Sequence, residues 1–393
     1  MNLAGGPGPG PECQLPLFDE PDPGIMTSPY PALDRRLRGT TFFDWPARTV
    51  LNPPSATGMG FWSLNPYIGC EFGCSYCYAR DTHRYQMERA AAKLGTEAAG
   101  TTPDVETDPA DDPTFPPLPA WQAFERRILV KSGAAATLAR TLGSSAAAGP
   151  GRPGRPGGLG GRPLVIGTAT DPYQPAERTF RLTRQILEAL LHHRGYTIGI
   201  ITKSALVTRD IPLLQQLNQR HDLSVNISLI SADARLVRRL ERRSPVPRAR
   251  LRALANLAAA GLNAGLMIAP ILPGLTDDRP GLEALMGAAR DAGARFALGI
   301  PLRLDPVSRR RFWPLLQQEF PQLVERYRRC YGPRSYARRA YHSALLRRVR
   351  LLQRQYGFPV QGDSRGGRHR SSRAATPVSR SAAAAGAAQV ALL

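Results

Sequence analysis

Between Leu164 and Ile300 the apolar positions switch repeatedly between two periods. Short apolar runs at Leu164–Thr168, Thr197–Thr202, Leu223–Ile230, Leu262–Ala269 and Arg295–Ile300 predict buried strands. The segments between them space their apolar residues three and four apart, which predicts helices. Leu182, Ile186 and Leu190 share one face after Glu177, and Leu251, Leu254 and Leu257 share one face within Arg248–Ala260. Further helices are expected over Ile211–Arg220, from Ala234, and over Gly281–Ala292. Alternating strands and helices imply parallel βα units with right-handed crossovers. One more strand just before Cys70 brings the count to about six, fewer than the eight of a closed barrel. A doubly wound sheet is the alternative, but no Gly-x-Gly-x-x-Gly fingerprint follows the first strand. In either architecture the loops at the carboxyl ends of the strands carry the chemistry.

The pattern is interrupted in four places. Residues 1–35, rich in Gly-Pro repeats, show no period and are expected to be disordered. Residues 101–119 are acidic and Pro- and Thr-rich, and 143–162 are nearly all Gly, Ala, Pro, Ser and Arg; both read as low-complexity insertions in a core spanning 36–304. An Arg-rich helical segment follows over 305–361, and the Ser-, Arg- and Ala-rich tail 362–393 has no core-forming pattern. The fold expected is therefore a mixed α/β core with a C-terminal helical extension.

Composition adds a strong charge. The formal net charge is +21, carried almost wholly by arginine, since Lys93, Lys131 and Lys203 are the only lysines. Between Leu302 and Tyr356 fourteen arginines face only Asp305, Glu319 and Glu325. Such a field attracts an anionic partner such as DNA or RNA, while a solvated helix surface with a compositional bias accounts for it equally well. The N-terminus lacks a basic region followed by an apolar one, and no apolar run approaches the ~20 residues of a membrane span. A cytoplasmic protein without membrane attachment is expected.

Five cysteines in so long a chain are not a disulfide scaffold, and three of them lie within eight residues. The stretch is Asn65-Pro-Tyr-Ile-Gly-Cys70-Glu-Phe-Gly-Cys74-Ser-Tyr-Cys77-Tyr-Ala-Arg80. Three thiolates on a short loop can hold three irons of a [4Fe–4S] cluster and leave the fourth iron open to a ligand. A structural zinc site is the competing reading. It needs a fourth ligand, for which His83 or Cys330 would have to be recruited.

This C-x3-C-x2-C loop after the first strand of a βα chain resembles the radical S-adenosylmethionine (SAM) superfamily, in particular its spore-photoproduct-lyase-like branch. Further stretches carry the resemblance in order: Gly167-Thr-Ala-Thr-Asp-Pro-Tyr-Gln-Pro-Ala-Glu177, Ile201-Thr-Lys-Ser204, Leu240-Glu241 and Met267-Ile-Ala-Pro-Ile-Leu-Pro-Gly-Leu-Thr-Asp277. It implies a partial (β/α)6 TIM-like barrel of the radical SAM type. It also implies lyase-like radical chemistry begun by reductive cleavage of SAM to a 5′-deoxyadenosyl radical, and a one-electron donor such as a flavodoxin or ferredoxin.

By position, Cys70, Cys74 and Cys77 match the cluster ligands, and Tyr76 the aromatic residue whose backbone meets adenine. Thr170 and Asp171 match the contacts to the SAM amino group. Lys203, Ser204 and Ser228 look like contacts to its carboxylate and ribose, and Ile268–Pro273 like the wall against adenine. Tyr78 and Tyr173 flank these segments as candidate catalytic side chains, able to relay a hydrogen atom or stack on a base. Glu241 fits the family's Leu-Glu element, or a surface partner for a neighbouring arginine. Spore photoproduct lyases use a further cysteine, and here no cysteine lies between Cys77 and Cys330. The substrate class therefore stays open between a nucleic-acid lesion or modified base and a peptide or small molecule. A non-catalytic nucleic-acid-binding module with a metal knuckle is the remaining alternative.

Overall fold

The computed structural model describes residues 32–36, 39–84, 118, 120–146 and 159–360. Of the expected insertions, 101–117, 119 and 147–158 lie outside the described residues, as do residues 1–31 of the expected extension and the tail 362–393. Along the chain the strands are β1 (Ala32–Arg36), β2 (Thr40–Asp44), β3 (Leu51–Asn52), β4 (Trp62–Leu64), β5 (Tyr67–Ile68), β6 (Arg127–Val130), β7 (Leu164–Ile166), β8 (Thr197–Thr202), β9 (Asp222–Ser228), β10 (Asn263–Ile271) and β11 (Ala297–Pro301).

The main sheet has the order β11-β10-β9-β8-β7-β4-β3. From β4 to β11 every neighbouring pair is parallel, and only the short β3 runs antiparallel at the edge. Six parallel strands thus lie side by side in chain order, as the alternating pattern leads one to expect. Each crossover carries helix, including Leu182–Leu190 between β7 and β8, Ile211–Asn218 between β8 and β9, Pro247–Ala259 between β9 and β10, and Arg279–Asp291 between β10 and β11. Burial along β8 and β10 is nearly continuous rather than alternating, because parallel sheets are covered on their faces.

Three features differ from the sequence reading. The helix expected from Glu177 is broken at Arg181, whose φ of 53° ends one short turn before the next helix starts. The helix Ala134–Ala146 runs into the segment read as a loop from Gly143. The segment 32–35, read as part of the disordered extension, forms most of β1, because it pairs antiparallel with β2.

β1 and β2 belong to a second sheet of order β1-β2-β6-β5 that the pattern did not reveal. Its strands are short, and two of them pair across more than eighty residues of chain. This sheet positions the cysteine loop. β4 lies in the main sheet and β5 in the second, so the chain changes sheets at Asn65 and Pro66, and Cys70 follows directly.

The Arg-rich C-terminal segment is helical over Pro306–Glu319, Val324–Tyr331 and Arg339–Gln355 and packs on the same core as the strands. Leu345, Val349 and Leu352 are buried along one face of the last helix. Each such side chain removed from water stabilises by about 1.5–3 kcal/mol. Gln353 Nε2 donates to the carbonyl of Ala297 (2.6 Å), tying that helix to β11. Among the described residues no helix is long and apolar enough to cross a membrane.

The start of Pro306–Glu319 is capped from a distance. Its own N-cap, Asp305, makes no side-chain cap bond. Instead Asp81, just beyond the cysteine loop, accepts from Val307 N (2.8 Å), Ser308 N (2.9 Å) and Ser308 Oγ (2.9 Å). Removing a capping acceptor costs about 0.5–2 kcal/mol. Asp81→Ala should therefore lower unfolding stability by about 1–2 kcal/mol in chemical denaturation, and unchanged stability would show that this cap does not anchor the C-terminal helices.

Candidate functional site

The cysteine loop turns where only glycine fits. Gly69 has φ +88°, and a Cβ there would stand 2.9 Å from the carbonyl oxygens of Phe124 and Arg127. Gly73 has φ +59°, and a Cβ there would stand 2.7 Å from both Arg243 and Glu125. Cys70 N donates to Phe124 O (2.9 Å), and Ser75 binds Leu240 O through both its N–H (3.0 Å) and its hydroxyl (3.1 Å). The loop is thereby fixed to the helix before β6 on one side and to the helix Ala234–Leu240 on the other.

All three thiols are free, with Cys70 and Cys74 buried and Cys77 half-buried. Burial raises all three, aided by the charge of Asp171 at Cys70 and of Glu241 at Cys74, which is pushed up to about 12. Lys203 and Arg80 oppose this: Lys203 favours the thiolate at Cys74, and both favour it at Cys77. Buried, unpaired thiols beside fixed cations are groups that a metal would deprotonate and a low-dielectric site would hold.

Among the described residues no three His, Cys, Asp or Glu side chains gather as a single ion requires. A cluster asks for a wider set, since each thiolate takes a different iron. His83 is not turned to the thiols: its Nδ1 accepts from Gly69 N (3.3 Å), and burial, helped by Lys131, holds it down at about 3. Cys330 lies on the helix Val324–Tyr331, in the field of Arg326, Asp277 and Arg338. Neither residue thus completes a four-ligand zinc site with the loop.

Behind the loop sits Arg80, fully buried. It donates to the carbonyls of Cys74 (2.8 Å) and Trp121 and pairs with Glu125 (2.5 Å). Glu125 also takes Arg243 (2.6 Å) and Arg311 (3.3 Å).

A second buried network joins the loop to the strand ends. Glu241 has no exposed surface; it accepts from the Tyr76 hydroxyl and from Lys203 Nζ (3.0 Å), and pairs with the equally buried Arg250. Burial alone would raise its pKa, but Arg250 and Lys203 outweigh that and hold the carboxyl down at about 2. Lys203 Nζ also reaches Ser228 Oγ (3.0 Å) and Tyr76 Oη (3.3 Å), and Arg250 donates to Ser228 O (2.9 Å). Tyr76 and Ser228, which lie in separate stretches of sequence, are therefore both in contact with Lys203.

The other candidates divide differently. Asp171 accepts from Lys203 N (2.6 Å), Thr202 Oγ1 (2.6 Å) and Tyr173 N (2.9 Å), so protein donors engage both its oxygens. Thr170 gives its N–H to Asn65 Oδ1 (3.2 Å) and its hydroxyl to Tyr67 O (3.3 Å). Ser204 Oγ caps the turn Ala205–Asp210 by accepting from Leu206 N (3.2 Å). Tyr173 is fully enclosed, its phenol in the field of Asp210, Glu177 and Arg209. Tyr78 is half-buried, donates to Thr168 O, and carries Arg303 over its ring at 6.0 Å.

Sequence reasoning assigned no role to Asn65 and did not single out Arg250. Asn65 clamps the sheet change: Oδ1 accepts from Ala169 N (2.8 Å), Nδ2 reaches Ser63 Oγ (3.1 Å) and Thr168 Oγ1 (3.2 Å), and Lys131 Nζ holds its carbonyl (2.9 Å). Its signal was present, since it opens the cysteine stretch. Arg250 carried none, being one arginine among dozens.

No family model matches the chain. It is similar to the uncharacterized protein Rv2578c of Mycobacterium tuberculosis, 32% identical over 358 residues that cover 89% of this chain and 91% of that one. The uncharacterized protein MJ0683 of Methanocaldococcus jannaschii is 23% identical over 281 residues, covering 71% and 83%. Among solved structures, spore photoproduct lyase complexed with dinucleoside spore photoproduct superposes with a TM-score of 0.52 at 15% identity, covering 80% of this chain and 79% of that one. A mutant of that enzyme with bound AdoMet and dinucleoside spore photoproduct superposes equally well, with a TM-score of 0.52 at 15% identity.

Glu241 is the only carboxylate paired with Arg250 among the described residues. Removing one partner of a buried pair costs about 3–5 kcal/mol, because the other charge is left uncompensated. Glu241→Gln should therefore lower stability by about 3 kcal/mol, and Arg250→Met in the same chain should recover part of it. Additive losses in that double-mutant cycle would show that the two side chains are not coupled.

Proposed function

The chain belongs to the same family as the mycobacterial protein Rv2578c and has the fold of the radical SAM enzyme spore photoproduct lyase; from this we propose that it is itself a radical SAM enzyme. The observation that carries the proposal is the set of three free thiols on one tightly turned loop, beside the carboxyl ends of parallel strands. In this reading the six parallel strands form a partial (β/α)6 barrel spanning the core to residue 304, and Cys70, Cys74 and Cys77 hold a [4Fe–4S] cluster.

When bound, cluster and SAM supply one-electron cleavage of the sulfonium to a 5′-deoxyadenosyl radical. The chain's own residues bind, orient and exclude water. Lys203 presents a cation next to the loop, a partner for the SAM carboxylate, while Glu241 and Ser228 fix its direction. Tyr76 is anchored at its hydroxyl, leaving its backbone beside the last cysteine for the adenine. Asp171 acts chiefly by holding the Lys203 backbone in place. Electrons would come from a flavodoxin- or ferredoxin-like donor in the cytoplasm.

Nucleic acid is the substrate class we favour, and the arginines of the C-terminal helices support it. Arg338, Arg339, Arg347 and Arg350 are exposed and form no ion pair with a described residue. Arg339, Arg347 and Arg350 fall on one side of the last helix, opposite its buried face. The solved neighbour, a spore photoproduct lyase, is complexed with a dinucleoside, which agrees with this choice.

Two outcomes follow. Anaerobically prepared protein should contain iron and sulfide, and Cys70→Ala, Cys74→Ala or Cys77→Ala should each abolish both while Cys330→Ala does not. Stoichiometric zinc without sulfide would refute the cluster. Oligonucleotide affinity should fall at least tenfold between ~50 and ~200 mM salt, because neutralised phosphates release counterions. Replacing Arg338 and Arg339 by Ala should flatten that dependence, and a slope left unchanged would remove these side chains from the interface.

A further inference from the structure

One aromatic ring is left in the open beside the site. Tyr336 is 50% exposed, one of three large apolar or aromatic side chains in that state among the described residues. It is nevertheless held in place. Arg303 and Tyr336 meet in an antiparallel bridge, and Leu304 N donates to Ser335 O (2.8 Å). The Arg303 guanidinium lies 5.5 Å from the Tyr336 ring and 6.0 Å from the Tyr78 ring, and its Nε pairs with Asp305 (2.7 Å). Arg303 follows the carboxyl end of β11, and Tyr78 follows Cys77. A tyrosine, a guanidinium and a second tyrosine thus lead from the cysteine loop to solvent.

Leu304, whose N–H binds the residue before Tyr336, also lines a cavity of about 450 Å³ with Pro306, Arg309, Arg310, Trp313 and Pro333. Arg309 is committed to the carbonyls of Gly332 and Arg334, the latter at 2.6 Å. Arg310 is exposed and its side chain bonds to no described residue, so its guanidinium is available to an anion. A ring face fixed in water and backed by a planar cation, with an available arginine on the cavity wall of the same segment, matches a nucleobase and its phosphate. An acidic peptide would use the arginines and leave the ring unused.

Resting on the nucleic-acid reading above, we infer that Tyr336, backed by Arg303, is the stacking platform for an unpaired base at the mouth of the site, with Arg310 for the adjoining phosphate. An enzyme that must reach an atom of a base has to take that base out of its stack, and an aromatic face at the entrance receives it.

The test uses the anaerobically reconstituted full chain with SAM, a labelled single-stranded oligothymidylate, and a strand of the same length with abasic sugars. Tyr336→Ala should raise the dissociation constant for oligothymidylate about tenfold, the order expected for one lost base–aromatic contact. Its affinity for the abasic strand should not change, and Tyr336→Trp should restore base-dependent binding. Melting curves of both variants check folding. Equal oligothymidylate affinity in Tyr336→Ala and the parent, or an equal loss on both strands, overturns the platform while the nucleic-acid reading stands. Failure of the parent chain to bind either strand at low salt overturns both.

Discussion

The Glu241 carboxylate is the constraint on which the site depends. It lies without solvent between Arg250 and Lys203 and takes the Tyr76 hydroxyl, so one buried anion joins the cysteine loop, the ends of β8 and β9, and the helix Pro247–Ala259. Buried ion pairs contribute little net stability, because desolvation offsets their attraction. What such a pair provides here is direction. Lys203 is a long, flexible side chain whose ammonium would otherwise sample many positions. Glu241 and Ser228 pin it next to the thiols of Cys74 and Cys77, whose charged forms it favours.

The same principle recurs behind the loop. Arg80 reaches the Cys74 carbonyl from a fully buried position, and Glu125 gathers Arg80, Arg243 and Arg311. Arg311 belongs to the first C-terminal helix, whose start is capped by Asp81. The Arg-rich segment is therefore fastened to the cysteine loop by charge and by backbone hydrogen bonds.

Much of this was legible in the sequence, for physical reasons. Strands of five to nine residues such as β8 and β10 carry a continuous apolar run that marks them. The cysteines declare themselves by spacing. The second sheet was hidden because Arg127–Val130 is only four residues long, begins with a charge, and pairs with Thr40–Asp44 far away in the chain. In the sequence Asp171 shows only an acceptor beside Pro172, with no donor in view. Its neighbours Thr202 and Lys203 come from another strand, and only the fold shows that they already supply its donors. The pairing of Glu241 with Arg250 was illegible for a different reason: in a chain this rich in arginine, no single one stands out.

The central claim is that the three cysteines of the loop support reductive cleavage of SAM. It is tested most directly by reconstituting the protein anaerobically with iron and sulfide, reducing it in the presence of SAM, and measuring 5′-deoxyadenosine by chromatography. The account predicts 5′-deoxyadenosine formed in more than stoichiometric amount by the parent chain, and none when Cys74 is replaced by Ala. A reconstituted, reduced parent chain that leaves SAM intact would contradict it.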